Sequence, residues 1–342
     1  MRKKVLSFGE LLLRICPDAE GDWLADNSLP FYVGGAEANV ATALALWGIP
    51  SAYLTALPDN LLTRQLAAWL EERGIDTSRL LYRGERLGLY YLPKGKDLKQ
   101  GGVIYDRAHS SFSALRPGMI DWDQVLEEIG WLHFSAISPA LGQHVTDVCA
   151  EGLKAAREKG ITISVDLNYR AKLWQYGIPP SAVMPGLIAH CNVVMGNLWA
   201  AEKMLGIPVD PQLAVSGRKE DFLEHARRSS VAIVDRFPQV RLVAKTFRFD
   251  RGDRGIHYYA TLFANDGFYS SREYASDAIV DKVGSGDCFM AGLIRGLYRQ
   301  QPPQATLEFA AAAAFYKLFI PGDATDQPAE DIEKFIVTHE RQ

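Results

Sequence analysis

The run Asp281-Lys282-Val283-Gly284-Ser285-Gly286-Asp287-Cys288-Phe289 compresses two glycines, a carboxylate and a helix start into one turn. Beyond it, Phe289, Met290, Leu293, Ile294, Leu297 and Tyr298 recur at helical spacing, which predicts that the turn sits on the amino end of a helix. The first N–H groups of a helix lack intrahelical partners and the aligned peptide dipoles favour negative charge there, so Gly284, Ser285 and Gly286 read as an anion hole. Asp287 is the odd member. A carboxylate repels phosphate, and is tolerable mainly where it must take a proton from an attacking hydroxyl. The chemistry is then phosphoryl transfer to an alcohol. In the plainer alternative, Asp287 is an early-turn residue that complements the helix dipole. No Gly-x-Gly-x-x-Gly follows the first strand and no Gly-Lys-Ser/Thr closes a phosphate loop, so Rossmann and Walker readings are weaker.

A second run, Phe31-Tyr32-Val33-Gly34-Gly35-Ala36-Glu37-Ala38-Asn39-Val40-Ala41, lies near the start. Gly34 and Gly35 remove side chains where a polyol must approach the backbone, and Asn39 offers both donor and acceptor to vicinal hydroxyls. The alternative is a glycine turn capping a helix that contains Asn39.

Both runs need elements to position them. Short β-rich runs alternate with amphipathic helices, which predicts βαβ units around a largely parallel sheet with helices on both faces. Expected strands are 5–8, 51–56, 131–135, 162–167, 193–195 and 240–246, and helices begin near Ala36, Leu61, His144, Leu198, Lys219, Asp287 and Gln304. Two segments break the alternation, about 10–33 and 82–110, the second reading as a hairpin. Unable to join the parallel sheet, they are expected to pair as a small β lid over its carboxyl edge, all within one domain spanning 1–342. Unpaired lid edges predict a homodimer through the lid.

The 342 residues carry a net charge of −4, which gives no electrostatic case for nucleic acid or an anionic membrane. Any anionic ligand must be held by a few placed cations. The four cysteines are scattered and the seven histidines show no ligand spacing, so no zinc site or disulfide framework is read and a reducing cytoplasm is expected. No apolar run has the length of a signal or a membrane span.

Together the two glycine runs resemble the signatures of the PfkB, or ribokinase-like, carbohydrate kinases. The resemblance extends to Asp166-Leu167-Asn168-Tyr169-Arg170 and to Ile320-Pro321-Gly322-Asp323 after an alanine-rich helix. It implies a three-layer α/β/α sandwich with a β lid, ATP and Mg²⁺ as cofactors, and transfer of the γ-phosphoryl group to a hydroxymethyl, with Asp287 as base. It also implies Asn168, Asn197, Lys245 and Gly286 on the nucleotide side, and leaves a monovalent cation open. No residue set for the metal is legible.

Tyr90, Tyr105, Arg107 and Arg170 fall in segments expected to border the pocket, and a guanidinium near a site usually means a bound carboxylate or phosphate. The set resembles that of 2-keto-3-deoxygluconate kinases within the family, which implies a small-molecule sugar acid as acceptor. A neutral ketose such as fructose, a related sugar acid, or a sugar-binding regulator that has lost chemistry are the alternatives. The tyrosines read equally as lid filling; for Arg107 ligand contact is favoured over a surface pairing with Asp106 or Glu85, and for Arg170 contact is favoured too, with the nucleotide phosphates as its other functional partner. Two departures concern the nucleotide. Asn197-Leu198-Trp199-Ala200 lacks the family's acid, with Glu202 two residues late. Phe247-Arg248-Phe249-Asp250-Arg251-Gly252-Asp253-Arg254-Gly255 replaces the usual glycine turn and reads best as a charged surface hairpin.

Overall fold

The computed structural model describes residues 3–17, 23, 25, 27–93, 102–252 and 255–339, with the side chains of Ala214 and His339 left out. The first half runs β1 (Lys4–Phe8), β2 (Leu12–Ile15), β3 (Phe31–Gly34), α1 (Ala36–Leu46), β4 (Ser51–Leu54), β5 (Ala56–Leu57), α2 (Leu61–Glu71), β6 (Ile75–Asp76), β7 (Leu81–Tyr82), β8 (Gly88–Tyr91), β9 (Ile104–Asp106), α3 (Trp122–Val125), β10 (Ile129–Ser135) and α4 (Gln143–Glu158). The second half continues β11 (Thr162–Asp166), α5 (Pro180–Ile188), β12 (Val193–Met195), α6 (Leu198–Leu205), α7 (Gln212–Ser216), α8 (Lys219–Arg236), β13 (Leu242–Arg251), β14 (Gly255–Ala264), β15 (Gly267–Ser270), β16 (Tyr274–Ser276), α9 (Ser285–Tyr298), α10 (Pro303–Lys317) and α11 (Ala329–His339).

The central sheet has the order β15-β14-β13-β12-β11-β10-β1-β4-β6, with β16 on β14. Pairing is parallel from β13 through to β6, and antiparallel among β13, β14, β15 and β16. Because strand residues alternate between faces, each buried strand feeds two cores. Val5, Trp131, Val193 and Ala244 pack with α1, α9 and α10, while their neighbours Leu6, Leu132, Val194 and Val243 pack with α3, α4 and α5. This is a three-layer α/β/α sandwich. Chain order reverses beside β1, which runs on to β4 on one side while β10 returns on the other, and a crevice opens at the carboxyl ends of such strands.

The two segments that break the alternation pair with each other. β3-β2-β8-β9 form a separate sheet, antiparallel at β2/β3 and β8/β9 and parallel at β2/β8. Leu12, Tyr90, Leu92 and Val103 from this sheet and its flanks cluster with Val283, which lies just before the α9 turn. Residues 18–22, 24, 26 and 94–101 of these segments lie outside the described residues.

Several expectations are corrected. The strand expected to end at Thr246 continues to Arg251 and turns back as β14, so Phe247 to Gly255 is a hairpin inside the main sheet and not on its surface alone. Phe247 is buried in it. Helices α5 and α11 and the antiparallel edge β14–β16 were not anticipated.

Candidate active site

The turn at the start of α9 has the form its residues require. Gly284, the N-cap, takes φ 80°, and a Cβ there would fall 1.8 Å from the carbonyl oxygen of Asp323. The first helical bond of this turn is Cys288 N–H to Gly284 O at 2.8 Å, leaving the Ser285, Gly286 and Asp287 amides without helical partners. The Ser285 hydroxyl is turned away and donates to Ala314 O at 2.9 Å, so this residue offers its amide and not its side chain. At Gly286 a Cβ would meet nothing nearer than Met195 Cε at 4.0 Å. Nothing in the protein forces glycine there. The space opens instead into a cavity of about 400 Å³ that is lined by Gly284, Ser285, Gly286 and Asp287, a volume within the ordinary range of ligand sites.

Asp287 is buried at the edge of this cavity, with Asn39 Nδ2 donating to its Oδ2 at 2.7 Å. Burial pushes its carboxyl up to about 6, against the Asn39 hydrogen bond and the nearby Arg170 and Lys317 charges, while Asp323 adds to the rise. Such a carboxyl is ionised at neutral pH yet close enough to its pKa to take a proton. Asn39 therefore holds the carboxylate with its amide N–H₂, a contact the sequence did not suggest. Asp166, at the end of β11, is pushed up to about 7 by burial and by Asp287, and accepts from the Asn168 amide at 3.0 Å. Asn168 itself has φ 27° and lines the cavity. Glu37, at the start of α1, also lines it; burial pushes this carboxyl to about 7 although Ser135 donates to it through N at 2.8 Å and Oγ at 2.6 Å.

On the side toward the separate sheet, Gly35, Asn39, Tyr90, Tyr105, Arg107 and Arg170 all line the cavity. Gly34 does not, which corrects its expected contact with a polyol. It is glycine because a Cβ there would sit 2.6 Å from Asp323 Oδ2. The Tyr90 hydroxyl donates to that same oxygen at 2.7 Å; burial first and the Asp323 charge second push its phenol up, so it remains a donor. Tyr105 is half-buried beside it, with ring centres 6.3 Å apart. Arg107 is buried and its Nε donates to Glu10 Oε2, while Ser110 Oγ donates to the other Glu10 oxygen. Neither expected surface partner holds it. Asp106 pairs with Arg86 at 2.7 Å instead. Arg170 donates to Tyr169 O at 3.1 Å and its charge lowers the pKa of both Asp166 and Asp287.

The cavity is also lined by Asn197, Trp199, Thr246, Arg248 and Lys282, the last paired with Asp250 at 2.6 Å. Asn197 caps α6, accepting from Ala200 N at 2.8 Å. Lys245 is corrected. Residues alternate along β13, so Thr246 and Arg248 face the cavity and Lys245 points to the other side, buried, with burial lowering its pKa to about 7. Glu202 accepts from Val209 N at 3.2 Å and is not among the lining residues. Nor is Arg251, and Arg254 lies outside the described residues. Glu10, Glu37, Thr246, Arg248, Lys282 and Asp323 were not singled out as site residues by the sequence. The signal for Thr246 and Arg248 was present, since they stand one and three residues from Lys245 on the opposite parity.

Among the described residues no three His, Cys, Asp or Glu side chains converge on a metal position. The carboxyls of Asp166 and Asp287 both line the cavity, and a Mg²⁺ that keeps most of its waters needs only one or two carboxylates from the protein.

The profile of the family described as pfkB family carbohydrate kinase matches residues 2–330. A 2-dehydro-3-deoxygalactonokinase of Haloferax volcanii is 27% identical over 337 residues, covering 98% of this chain and 97% of that one. Fructokinase-1 of Oryza sativa subsp. japonica is 26% identical over 319 residues, covering 90% of this chain and 89% of its own. Among solved structures, the crystal structure of a 2-dehydro-3-deoxygluconokinase of Thermotoga maritima is 34% identical, with a TM-score of 0.89 over 98% of this chain and 99% of that one.

Proposed function

The chain belongs to the pfkB family of carbohydrate kinases, and we propose that it transfers the γ-phosphoryl group of ATP to the terminal hydroxyl of 2-keto-3-deoxygluconate, giving the 6-phosphate. The observation that carries the chemistry is Asp287, a buried carboxylate held by Asn39 beside amides that have no helical partner. A carboxylate there would weaken phosphate binding unless it served the acceptor. The acid character of the acceptor is supported by Arg170 and Arg107 in the same cavity, and by relatives whose names specify two 2-keto-3-deoxy sugar acids.

In this reading Gly35 lets the sugar approach the backbone, Tyr90 and Tyr105 enclose it, and Asn39 and Asp287 face the reacting hydroxyl. Asp287 takes the hydroxyl proton at a carboxylate oxygen. The amides of Gly284, Ser285 and Gly286 stabilise charge on the transferred oxygens, and they do so in a site already organised for it. Asn168, Asn197, Arg248 and Lys282, which line the same cavity, are the residues assigned to the nucleotide in this reading. Mg²⁺ would supply charge neutralisation on the phosphates when bound, and Asp166, a carboxyl that lines the cavity, would help to hold it. Trp199, half-exposed where it lines the cavity, would offer a ring face to the nucleotide base. β3 and β9 form the edges of the separate sheet, with Phe31 and Ile104 exposed on them, which supports a homodimer through this lid. Analytical ultracentrifugation of the whole chain checks it.

A neutral ketose is the second reading. The rice fructokinase favours it, as does Glu10, which already engages the Arg107 guanidinium. A coupled ADP-release assay across 2-keto-3-deoxygluconate, its galactonate epimer, gluconate and fructose decides between them. The proposal expects kcat/KM to be highest for the 2-keto-3-deoxy acids. A preference for fructose would overturn the acid assignment while leaving the kinase intact.

A further inference from the structure

Lys317 ends α10 and has no exposed surface. Its Nζ donates to two backbone carbonyls, Ile320 at 3.0 Å and Gly322 at 2.8 Å. Its stem lies under the anion turn, since a Cβ on Gly284 would be 3.3 Å from Lys317 Cε. The two loops it touches are tied together beside it: Gly322 N donates to Asp281 Oδ2 at 3.2 Å, and Val283 N to Asp281 Oδ1 at 3.0 Å. The groups facing it are Asp281 and Asp323 from these loops, Arg14 from β2, and the Cys288 thiol of α9, which burial pushes up to about 12 and so keeps neutral. Two cations, Arg14 and Lys317, then meet two carboxylates, Asp281 and Asp323; burial raises the Asp323 carboxyl, and a protonated Lys317 works against that rise. Burial, with Arg14 adding, lowers the Lys317 pKa on balance, while the Asp281 and Asp323 carboxylates oppose the fall. The Lys317 charge is also felt at Asp287, where it favours the carboxylate.

We propose that the Lys317 ammonium is a tethered cation for the phosphoryl site, pinning the Gly284 turn to the 320–323 loop and supplying from within the chain the positive charge that an added monovalent cation would otherwise provide. Backbone carbonyls are the oxygens that K⁺ accepts in place of its water shell, and an ammonium donates to the same oxygens. Placed beneath amides aimed at a transferring phosphoryl group, such a charge acts in a site shielded from water, where it is little screened. Lys317 does not reach the cavity, so it acts through the turn and through the field at Asp287. This inference rests on the kinase reading, and its test separates the two.

Turnover of the unaltered chain with 2-keto-3-deoxygluconate and MgATP is measured in KCl, NaCl and tetramethylammonium chloride at one ionic strength. Rates equal to within about twofold are expected, since general screening is then held constant. A manyfold activation by K⁺ would overturn the proposal. Lys317→Met keeps length and apolar stem without charge. It should lower kcat by about tenfold or more, less than the loss of a direct hole donor, with KM for the sugar nearly unchanged. The Asp287 carboxyl, followed by ¹³C NMR, should titrate at higher pH in this variant. Lys317→Ala should regain part of its rate in ammonium or K⁺. An unchanged kcat together with an unmoved Asp287 titration sinks the idea. If neither variant folds, the salt comparison on the unaltered chain still decides. The Asp287 titration needs no turnover, so an inactive unaltered chain would count against the kinase reading while the role of Lys317 is still judged.

Discussion

Asp287 and Asn39 come together across 248 residues of chain, and their 2.7 Å contact carries two predictions. Replacing Asp287 by Asn keeps shape and hydrogen-bonding capacity but removes the proton acceptor. Turnover should fall by about 10²- to 10⁴-fold, while binding of a non-hydrolysable ATP analogue, measured calorimetrically, should persist. Retention of near-normal turnover would remove Asp287 from the base role. The second prediction concerns pH. The Asp287 carboxyl, at about 6, must be ionised to act, so kcat/KM should fall as pH drops through that value. Asp166, at about 7, is electrostatically linked to it, so the observed limb belongs to the pair. The Asn39 N–H favours the charged form of Asp287. Asn39→Ala should therefore move the acid limb to higher pH, whatever it does to sugar affinity. A limb that stays in place or moves down would show that the contact does not tune the base. At this scale the sequence was legible in residue type and opaque in partnership. Asp287, Asn39 and Arg170 could be named from their motifs, but that Glu10 would hold Arg107, 97 residues away, depends on how two sheets meet.

Helices α9 and α10 bring the anion turn and its supporting loop together, and glycine makes their close approach feasible. A Cβ on Gly292 would lie 2.7 Å from Ala310 Cα, a backbone atom that cannot swing aside. Gly186, inside α5, has nothing within 4 Å of the same position. Alanine is the better helix former at both sites, so the surroundings decide the sign. Gly186→Ala should stabilise by about 0.4–1 kcal/mol. Gly292→Ala should destabilise, by about 1–3 kcal/mol for an overpacked contact. Urea melts of the two variants check this, and a shift in the same direction for both would mean that the α9–α10 contact yields more easily than its geometry implies. Elements of this kind were partly legible. Parallel strands buried on both faces, such as Val193 to Met195, stand out as short apolar runs between helices. Helix α5 did not, because it opens on Pro179-Pro180 and carries Pro185 and Gly186, which read locally as loop. Lys245 failed for a different reason: the strand was recognised, but which parity faces the cavity is fixed by the layers on either side and not by the strand itself.

The separate sheet and the main body are joined by charge as well as by the apolar cluster at Val283. Arg14 of β2 is buried, with Nη2 2.6 Å from Asp281 Oδ2 and Nε 2.8 Å from Asp323 Oδ1, the latter too bent for a straight hydrogen bond. Its guanidinium also lies 4.9 Å from the centre of the Tyr32 ring. Burial alone would lower its pKa, but Asp323 and Asp281 raise it on balance, so the cation is fixed. The pairing across 267 residues places the strands of one sheet over the turn that begins α9. Arg14→Met fills similar volume but leaves two carboxylates facing Lys317 alone. Breaking one side of a buried pair costs about 3–5 kcal/mol. The pH dependence gives the sharper check. A buried carboxylate that loses its cation has a folded-state pKa raised above its unfolded value, so its contribution is favourable while protonated and is lost as pH rises above the unfolded value, about 3.9 for Asp. The deficit of Arg14→Met relative to the unaltered chain should therefore be larger at pH 8 than at pH 5 in denaturant melts. If the deficit were equal at both, Asp281 and Asp323 would have found other partners, and the join between lid and body would rest on the Val283 cluster instead of on this ion pair.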